Sequence, residues 1–367
     1  MKRLCLSLAA FAAVSFSFVW AQAPAEFKGH EGLIHSIAFS SDGSIMATAS
    51  FDGNVKLWNF ASGKESQILK GTSQVTGVAF NKDGTIVATG SADGVIKFWN
   101  PKDGKAIKEL KAHPAAGAVP GGVGAVAFSP DGNILASGGT DKTVKLLDAK
   151  DLKEIKNLGA HKESVYSVAF NADGSQLAST GNDGIIKIWD VKGQKEIKSM
   201  MVDLPKPEIK IEPKKIEPKK DEKDKKDVKK KDMGKKEEPK ELRDAFTAVA
   251  FTPDGKQVLS VGHDKFLRFW NLADGKEAKK IGPTRDYLFG LSISKDGKYV
   301  ATAGYGGSLR VYELSSGNKV YDDTDKGNES RKGWITYCAA FTPDGKSVVT
   351  GHEKASKGIA KITAISK

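Results

Sequence analysis

The chain has 367 residues, 39% hydrophobic and 28% charged, with a formal net charge of +12. No apolar run reaches the roughly 20 residues of a membrane-spanning helix, which excludes a transmembrane bundle and describes a soluble globular protein. The basic excess invites a nucleic-acid partner, but its distribution argues otherwise. Residues 201–244 hold 16 basic and 13 acidic side chains, and seven further bases recur at one equivalent place per repeat: Lys56, Lys97, Lys145, Lys187, Arg268, Arg310 and Lys361. Charge spread in this way is not a stripe that tracks phosphates, so sequence-specific nucleic-acid binding is not expected.

Residues 1–21 read as a secretory signal peptide: Lys2 and Arg3, an apolar core from Leu4 to Val19, then Val19-Trp20-Ala21. The alternative is an uncleaved anchor, although a core of 16 residues is short for a span. Export, to a periplasm or out of the cell, is therefore expected. Cleavage removes Cys5 and leaves Cys338 alone, so no intrachain disulfide can form and packing must supply stability. Cys338 lies in an apolar strand pattern and reads as a small buried hydrophobe.

From residue 27 onward the chain is repetitive. An apolar residue, two variable residues and Asp-Gly recur seven times, ending at Gly43, Gly84, Gly132, Gly174, Gly255, Gly297 and Gly345. Asp-Gly between alternating runs is a hairpin signal, because Gly accepts φ > 0 and Asp caps its own turn. Successive copies are 41, 48, 42, 81, 42 and 48 residues apart. That is the period of a β-propeller blade. In the first unit, strand a spans 34–39, b 44–50, c 54–59 and d 65–69. The residue before the hairpin Phe or Ile is always Ala or Ser, as expected where innermost strands converge. The fold expected is all-β: seven blades of four antiparallel strands, with blades one to four in 22–200 and blades five to seven in 245–367. Strand c of the last repeat, 359–365, ends near the C-terminus, so its outer strand must come from elsewhere. Pro24 to Lys28 can supply it, with Phe27 aligned to Leu69, Leu110 and Leu158, closing the ring and removing an exposed edge.

These repeats resemble WD-repeat propellers: KGH at Lys28-Gly29-His30, VKLWN ending at Trp58-Asn59, IKFWN at Trp99, IKIWD at Trp189 and LRFWN at Trp270. The resemblance implies a hydrogen-bonded set of a His before strand a, a Ser or Thr ending strand b, the b–c Asp and the strand-c Trp. Repeat one offers His30, Ser50, Asp52 and Trp58. Repeat four keeps His161, Asp183 and Trp189, with Gly181 in the Ser slot. Elsewhere the set is partial: Asp93 and Trp99 with Gly71 for His, His113 and Asp141 with Leu147 for Trp, and Asp264 and Trp270. Repeat six has Gly306 and Tyr312 in the Asp and Trp slots. Repeat seven has Thr363 near the Trp slot and a longer b–c loop, Gly351 to Gly358.

The surplus residues in the intervals all fall between a strand d and the next strand a: 112–122, 201–244 and 324–333. These connections and the b–c turns should share one face, and insertions gathered on one face mark a binding face. Residues 201–244 are almost entirely Lys, Glu, Asp and Pro, a composition that stays disordered. They read as a solvated loop, or as a tether for an acidic polymer or envelope surface. The residues expected to meet a protein or peptide partner are Phe51, Asn182, His263, Arg285, Tyr287, Tyr305 and Trp334. For Tyr287 and Trp334 the competing reading is a plug between blades.

No catalytic constellation is found. There is no Cys-x-x-Cys-His, no nucleophile elbow and no His pair with metal-ligand spacing. His35 falls in strand a, and His263 and His352 fall in b–c turns. GYGGS at Gly304 and GGVG at Gly121 lack the spacing of a phosphate cradle. The reading is an exported, monomeric, non-enzymatic scaffold without cofactor. The rival is a propeller enzyme or redox protein with a metal or quinone in the central channel, since propellers host such sites.

Overall fold

The second strand of each repeat is small or apolar and buried almost throughout, the fourth is largely exposed, and each Asp-Gly turn sends the chain back antiparallel to itself. A computed structural model describes residues 23–114, 121–202, 245–323 and 334–365. The expected signal peptide and nearly all of the 201–244 insert lie outside these residues, as do most of the two shorter expansions. Among the described residues there is no helix, and the strands form seven four-stranded antiparallel sheets. The strand-a segments touch one another in sequence, blade one to blade seven and back to blade one, so the sheets form a closed ring.

Blade one matches its expected strands to within a residue: 34–39, 45–50, 54–59 and 65–70. The last blade takes Ile335–Phe341, Ser347–Lys354 and Lys357–Ala364, and its outer strand is Glu26–His30 from the other end of the chain. Phe27 lies opposite Ala360, as Leu69 lies opposite Val55 and Leu110 opposite Ile96. In blade seven the long b–c loop is in fact strand. Pairing continues to Lys354 opposite Lys357, and Ala355 and Ser356 make a two-residue turn with φ of 50° and 62°. His352 therefore belongs to strand b and not to a turn. A two-residue loop with both φ positive matches the strand twist, so the ladder can run on.

The Asp-Gly turns have one chemistry throughout. All seven glycines have φ between 66° and 81°, a region costly for any residue with a Cβ. The preceding Asp accepts the amide two residues on, as in Ser44 N to Asp42 Oδ1 at 3.0 Å and Lys256 N to Asp254 Oδ1 at 3.1 Å. Where the turn opens on Ser or Thr, its hydroxyl also donates to that Asp, at 2.6 Å from Ser40, Ser129, Thr252, Ser294 and Thr342. These hydrogen bonds hold the Asp42, Asp131, Asp254 and Asp296 carboxyls below their ordinary range.

The core sits between blades rather than within them. Leu57 and Leu69 of blade one pack with Val75, Val87 and Trp99 of blade two. Equivalent clusters fill each later gap, the last joining Phe27 and Ala360 of blade seven to Ile34, Met46 and Trp58 of blade one. Each such Leu or Val contributes ~1.5–3 kcal/mol when buried, so a blade is stable only with both neighbours. Ala38 and Ala79, the small residues before the hairpin Phe, pack against these inter-blade clusters. The gap between blades narrows toward the axis, and only a small side chain fits there.

Six of the seven recurrent strand-c bases are answered by acids on strand d. The pairs are Lys56–Glu65 (2.5 Å), Lys97–Glu109 (3.1 Å), Lys145–Glu154 (2.9 Å), Lys187–Glu196 (2.5 Å), Arg268–Glu277 and Arg310–Asp322 (3.4 Å). Three of the lysines also lie over the strand-c indole at 5.5–5.9 Å. Outer strands reach across to the next blade: Lys198 Nζ donates to the Leu272 and Ala273 carbonyls at 2.5 and 2.9 Å, and Lys108 Nζ to the Asp151 carbonyl at 3.1 Å.

Candidate functional site: the channel mouth

Strand a of each blade starts where its d–a connection ends. Backbone bonds join these connections to the b–c turns, among them His113 N to Gly94 O (2.9 Å), His161 N to Lys142 O (2.8 Å) and Thr284 N to Lys265 O (2.8 Å). Turns and connections therefore share one face, and the central channel opens among them. Its mouth is lined by the second residue of each strand a, or the matching position in blade seven: His35, Thr76, Gly124, Tyr166, Thr247, Phe289 and Tyr337. All seven border a cavity of about 640 Å³.

Four of the seven carry rings, and three of those join a continuous row. Phe289 stacks on Tyr337 with centroids 4.5 Å apart. Tyr337 meets His35 at 5.7 Å, and His35 stacks on Phe51 at 5.2 Å. At the other end His263 meets Phe289 edge-on at 5.9 Å and Tyr287 at 5.2 Å, and Lys265 Nζ lies 5.1 Å over the Tyr287 ring. The row covers blades five, six, seven and one. His35 is fixed by a 2.6 Å bond from Nδ1 to the Thr76 carbonyl of the next blade.

Of the seven residues expected to meet a partner, the structure brings Phe51, His263 and Tyr287 into this row. Tyr305 stands beside it: its amide bonds the Tyr287 carbonyl at 2.9 Å, and its side chain is 51% exposed. Arg285 is exposed on the connection before blade six. Asn182 is exposed on blade four, away from the row, with its amide on the Ser164 carbonyl. Trp334 is half-buried and packs edge-on against His352 at 5.2 Å, which serves blade seven more than the open face. The sequence reading passed over Tyr166, Phe289 and Tyr337. They occupy one repeat column, and comparing that column across blades would have exposed them.

Burial drives His35, Tyr166, Tyr337 and Cys338, all in the channel lining, toward their neutral forms. Burial pushes His35 below the ordinary imidazole value, against the opposing pull of the Thr76 carbonyl. Burial and Glu163 raise Tyr166, while burial, Glu353 and Tyr305 raise Tyr337. Burial pushes the Cys338 thiol up to about 12, so it is no nucleophile. Among the described residues no group of three or more His, Cys, Asp and Glu could hold a metal ion. Nor is any described helix long and apolar enough to cross a membrane.

Deeper in the blades lie the hydrogen-bonded sets. In blade one His30 Nδ1 meets Asp52 at 2.7 Å and Nε2 meets Thr48 Oγ1 at 2.8 Å, while Trp58 Nε1 donates to the same hydroxyl at 2.9 Å. The linking hydroxyl is thus Thr48 and not Ser50, which instead donates to the Gly32 carbonyl at 2.9 Å. Trp58 lies opposite Met46, so Thr48 is the nearer same-face hydroxyl. The same offset completes blade four: Ser179 bonds His161 at 2.7 Å and Trp189 at 2.8 Å, and Gly181 replaces nothing in the set. His161 meets Asp183 at 2.9 Å. Blade three joins His113 to Asp141 (2.9 Å) and Ser137 (2.8 Å). In blade two Asp93 takes the Thr72 and Ser91 hydroxyls at 2.5 and 2.6 Å, and Trp99 donates to Thr89 at 2.9 Å. In blade five Asp264 takes Arg268 Nε at 2.6 Å, and Trp270 donates to Ser260 at 2.9 Å.

These sets make stability depend on acid. Burial raises the Asp52 carboxyl, but the His30 hydrogen bond and field, with the Asn54 and Glu31 amides, outweigh it and hold it at about 2. Asp141 and Asp183 are lowered by the same balance. A depressed carboxyl contributes stability above its unfolded value and loses it as pH falls through the folded one. The urea midpoint should therefore hold above about pH 4 and fall toward about pH 2. Asp52→Asn should lower the midpoint at neutral pH and flatten that acid slope; an unchanged slope would mean that Asp52 carries none of it.

One comparison bears on the whole ring. The WD40 family (WD domain, G-beta repeat) matches residues 22–59, 63–100, 104–148, 152–190, 240–271 and 276–313, together more than half of the chain. The first match runs from the closing strand through strand c of blade one, so the sequence unit is offset by one strand from the structural blade. With these six repeats set in a seven-bladed ring, the chain belongs to the WD40-repeat family.

Proposed function

We propose that this protein is an exported, non-catalytic scaffold that binds a protein or peptide partner at the channel mouth, on the face bearing the b–c turns and d–a connections. WD40 propellers are in general protein-interaction scaffolds without catalytic activity. The observation that carries the reading for this chain is the row of rings from Phe51 to Tyr287, flanked by the exposed Tyr305. Aromatic side chains held rigid at a surface give large contact area at little entropic cost. Export rests on the basic start and apolar core of residues 1–21. The test compares capture from the host's envelope fraction by the native protein and by a Phe51→Ala, Tyr287→Ala, Tyr305→Ala triple variant. Matching thermal unfolding of the two would show that both fold. Loss of a partner by the variant is expected, and identical captured sets would reject this face.

A further inference from the structure

We propose that the partner is anchored by one uncharged apolar side chain, aromatic or large aliphatic, inserted into the channel mouth, and that the mouth rejects charged side chains. The inference rests on the protein-binding reading above and names what that site selects.

The cavity of about 640 Å³ exceeds the volume of a single side chain and falls within the range of ligand pockets. Among the described residues, no Asp, Glu, Lys or Arg lines it. Its polar groups are largely engaged with backbone. Thr76 Oγ1 donates to the Val123 carbonyl at 2.5 Å, Thr247 Oγ1 to the Leu288 carbonyl at 2.8 Å, and Cys338 Sγ to the Ile34 carbonyl at 3.5 Å. A charged side chain lowered here would lose its water and meet no counter-charge, a large penalty. An apolar one loses nothing and gains the ring wall. The shifted titrations of His35, Tyr166, Tyr337 and Cys338 point the same way, each toward the neutral form. Among the described residues, two carboxylates act on the lining rings from outside the cavity: Glu163, which pairs with Lys142 at 3.4 Å, on Tyr166, and Glu353 on Tyr337.

The mouth is also lopsided. Rings line blades four to one, beginning with Tyr166 in blade four, while Ala92, Thr76, Gly122 and Gly124 line the side of blades two and three. That low side leaves room for a main chain to cross while its side chain descends against the rings.

The test is selection of a phage-displayed random dodecapeptide library on the immobilised full-length protein, followed by calorimetry on the selected peptides. Enriched sequences should share one Phe, Trp, Tyr, Leu or Met. Changing that residue to Lys or Asp should weaken binding by about tenfold or more. Tyr166→Asp places a carboxylate at the mouth through a side chain already 38% exposed, and should admit Lys or Arg anchors. Thr140→Asp on the adjoining blade is the second carrier should Tyr166→Asp not fold. Enrichment of charged anchors by the native protein overturns the inference and leaves the protein-binding reading standing. Retained apolar selectivity in both folded Asp variants places the anchor outside the channel and also overturns it. A library that yields no binder overturns the inference and leaves the protein-binding reading to the capture experiment.

Discussion

Phe27→Ala is expected to destabilise the ring by ~3–5 kcal/mol, the range for truncating a buried Phe. The side chain is 2% exposed and meets Trp58 edge-on at 5.4 Å and Phe60 face-on at 5.9 Å. Its strand is the one outer strand held to its blade without a covalent turn, paired through Glu26 to Lys361 and Lys28 to Ile359. Leu69→Ala in blade one is the control. That Leu is 1% exposed at the same register, and its truncation should cost ~2–5 kcal/mol. Its strand stays tethered by the c–d turn, however. The two variants should therefore part company in mode more than in size. Phe27→Ala should speed amide exchange at Ile359 to Lys361 and promote association, because a released outer strand bares the blade-seven edge. Leu69→Ala should do neither. Equal exchange at 359–361 in both variants would show that closure is no weaker than an internal blade.

The scaffold was legible because its determinants repeat. Asp-Gly turns, an apolar residue at a fixed offset and a strand-c Trp recur at matched spacing, and a closing strand could be placed by asking what completes blade seven. The linking hydroxyl was harder. Ser50 and Thr48 share a face of the same strand, and only the position of the Trp58 indole across the hairpin decides between them. His352 was misplaced because a two-residue turn at Ala355 and Ser356 carries no Gly to mark it. The channel mouth was partly hidden for the opposite reason. What repeats in a propeller serves the fold, whereas Phe289, Tyr337 and Tyr166 sit in a column whose content changes from blade to blade. Their association depends on ring closure, which sets Tyr337 of blade seven beside His35 of blade one.

Replacing the linking hydroxyls should rank the blades. In blade four the circuit is complete: His161 Nδ1 bonds Asp183, its Nε2 bonds the Ser179 hydroxyl, and Trp189 donates to Ser179. Ser179 and His161 are buried, at 0% and 3% exposed, and so is the Trp189 indole. Ser179→Ala would leave two buried groups unpaired, each worth ~1–3 kcal/mol, so a loss of ~2–5 kcal/mol is expected. Thr48→Val should cost a similar amount, because it strands His30 Nε2 and Trp58 Nε1 together. Ser137→Ala strands only His113, and Ser260→Ala only Trp270, so each should cost about half as much. Ser50→Ala removes a bond to the Gly32 carbonyl and should cost ~1 kcal/mol. Urea unfolding of the five variants at neutral pH gives the order directly. A Ser50→Ala loss equal to that of Thr48→Val would return the linking role to Ser50. The large losses should also carry the acid dependence: once Ser179 is gone, His161 is held by Asp183 alone, and each protonation of that carboxyl frees the ring.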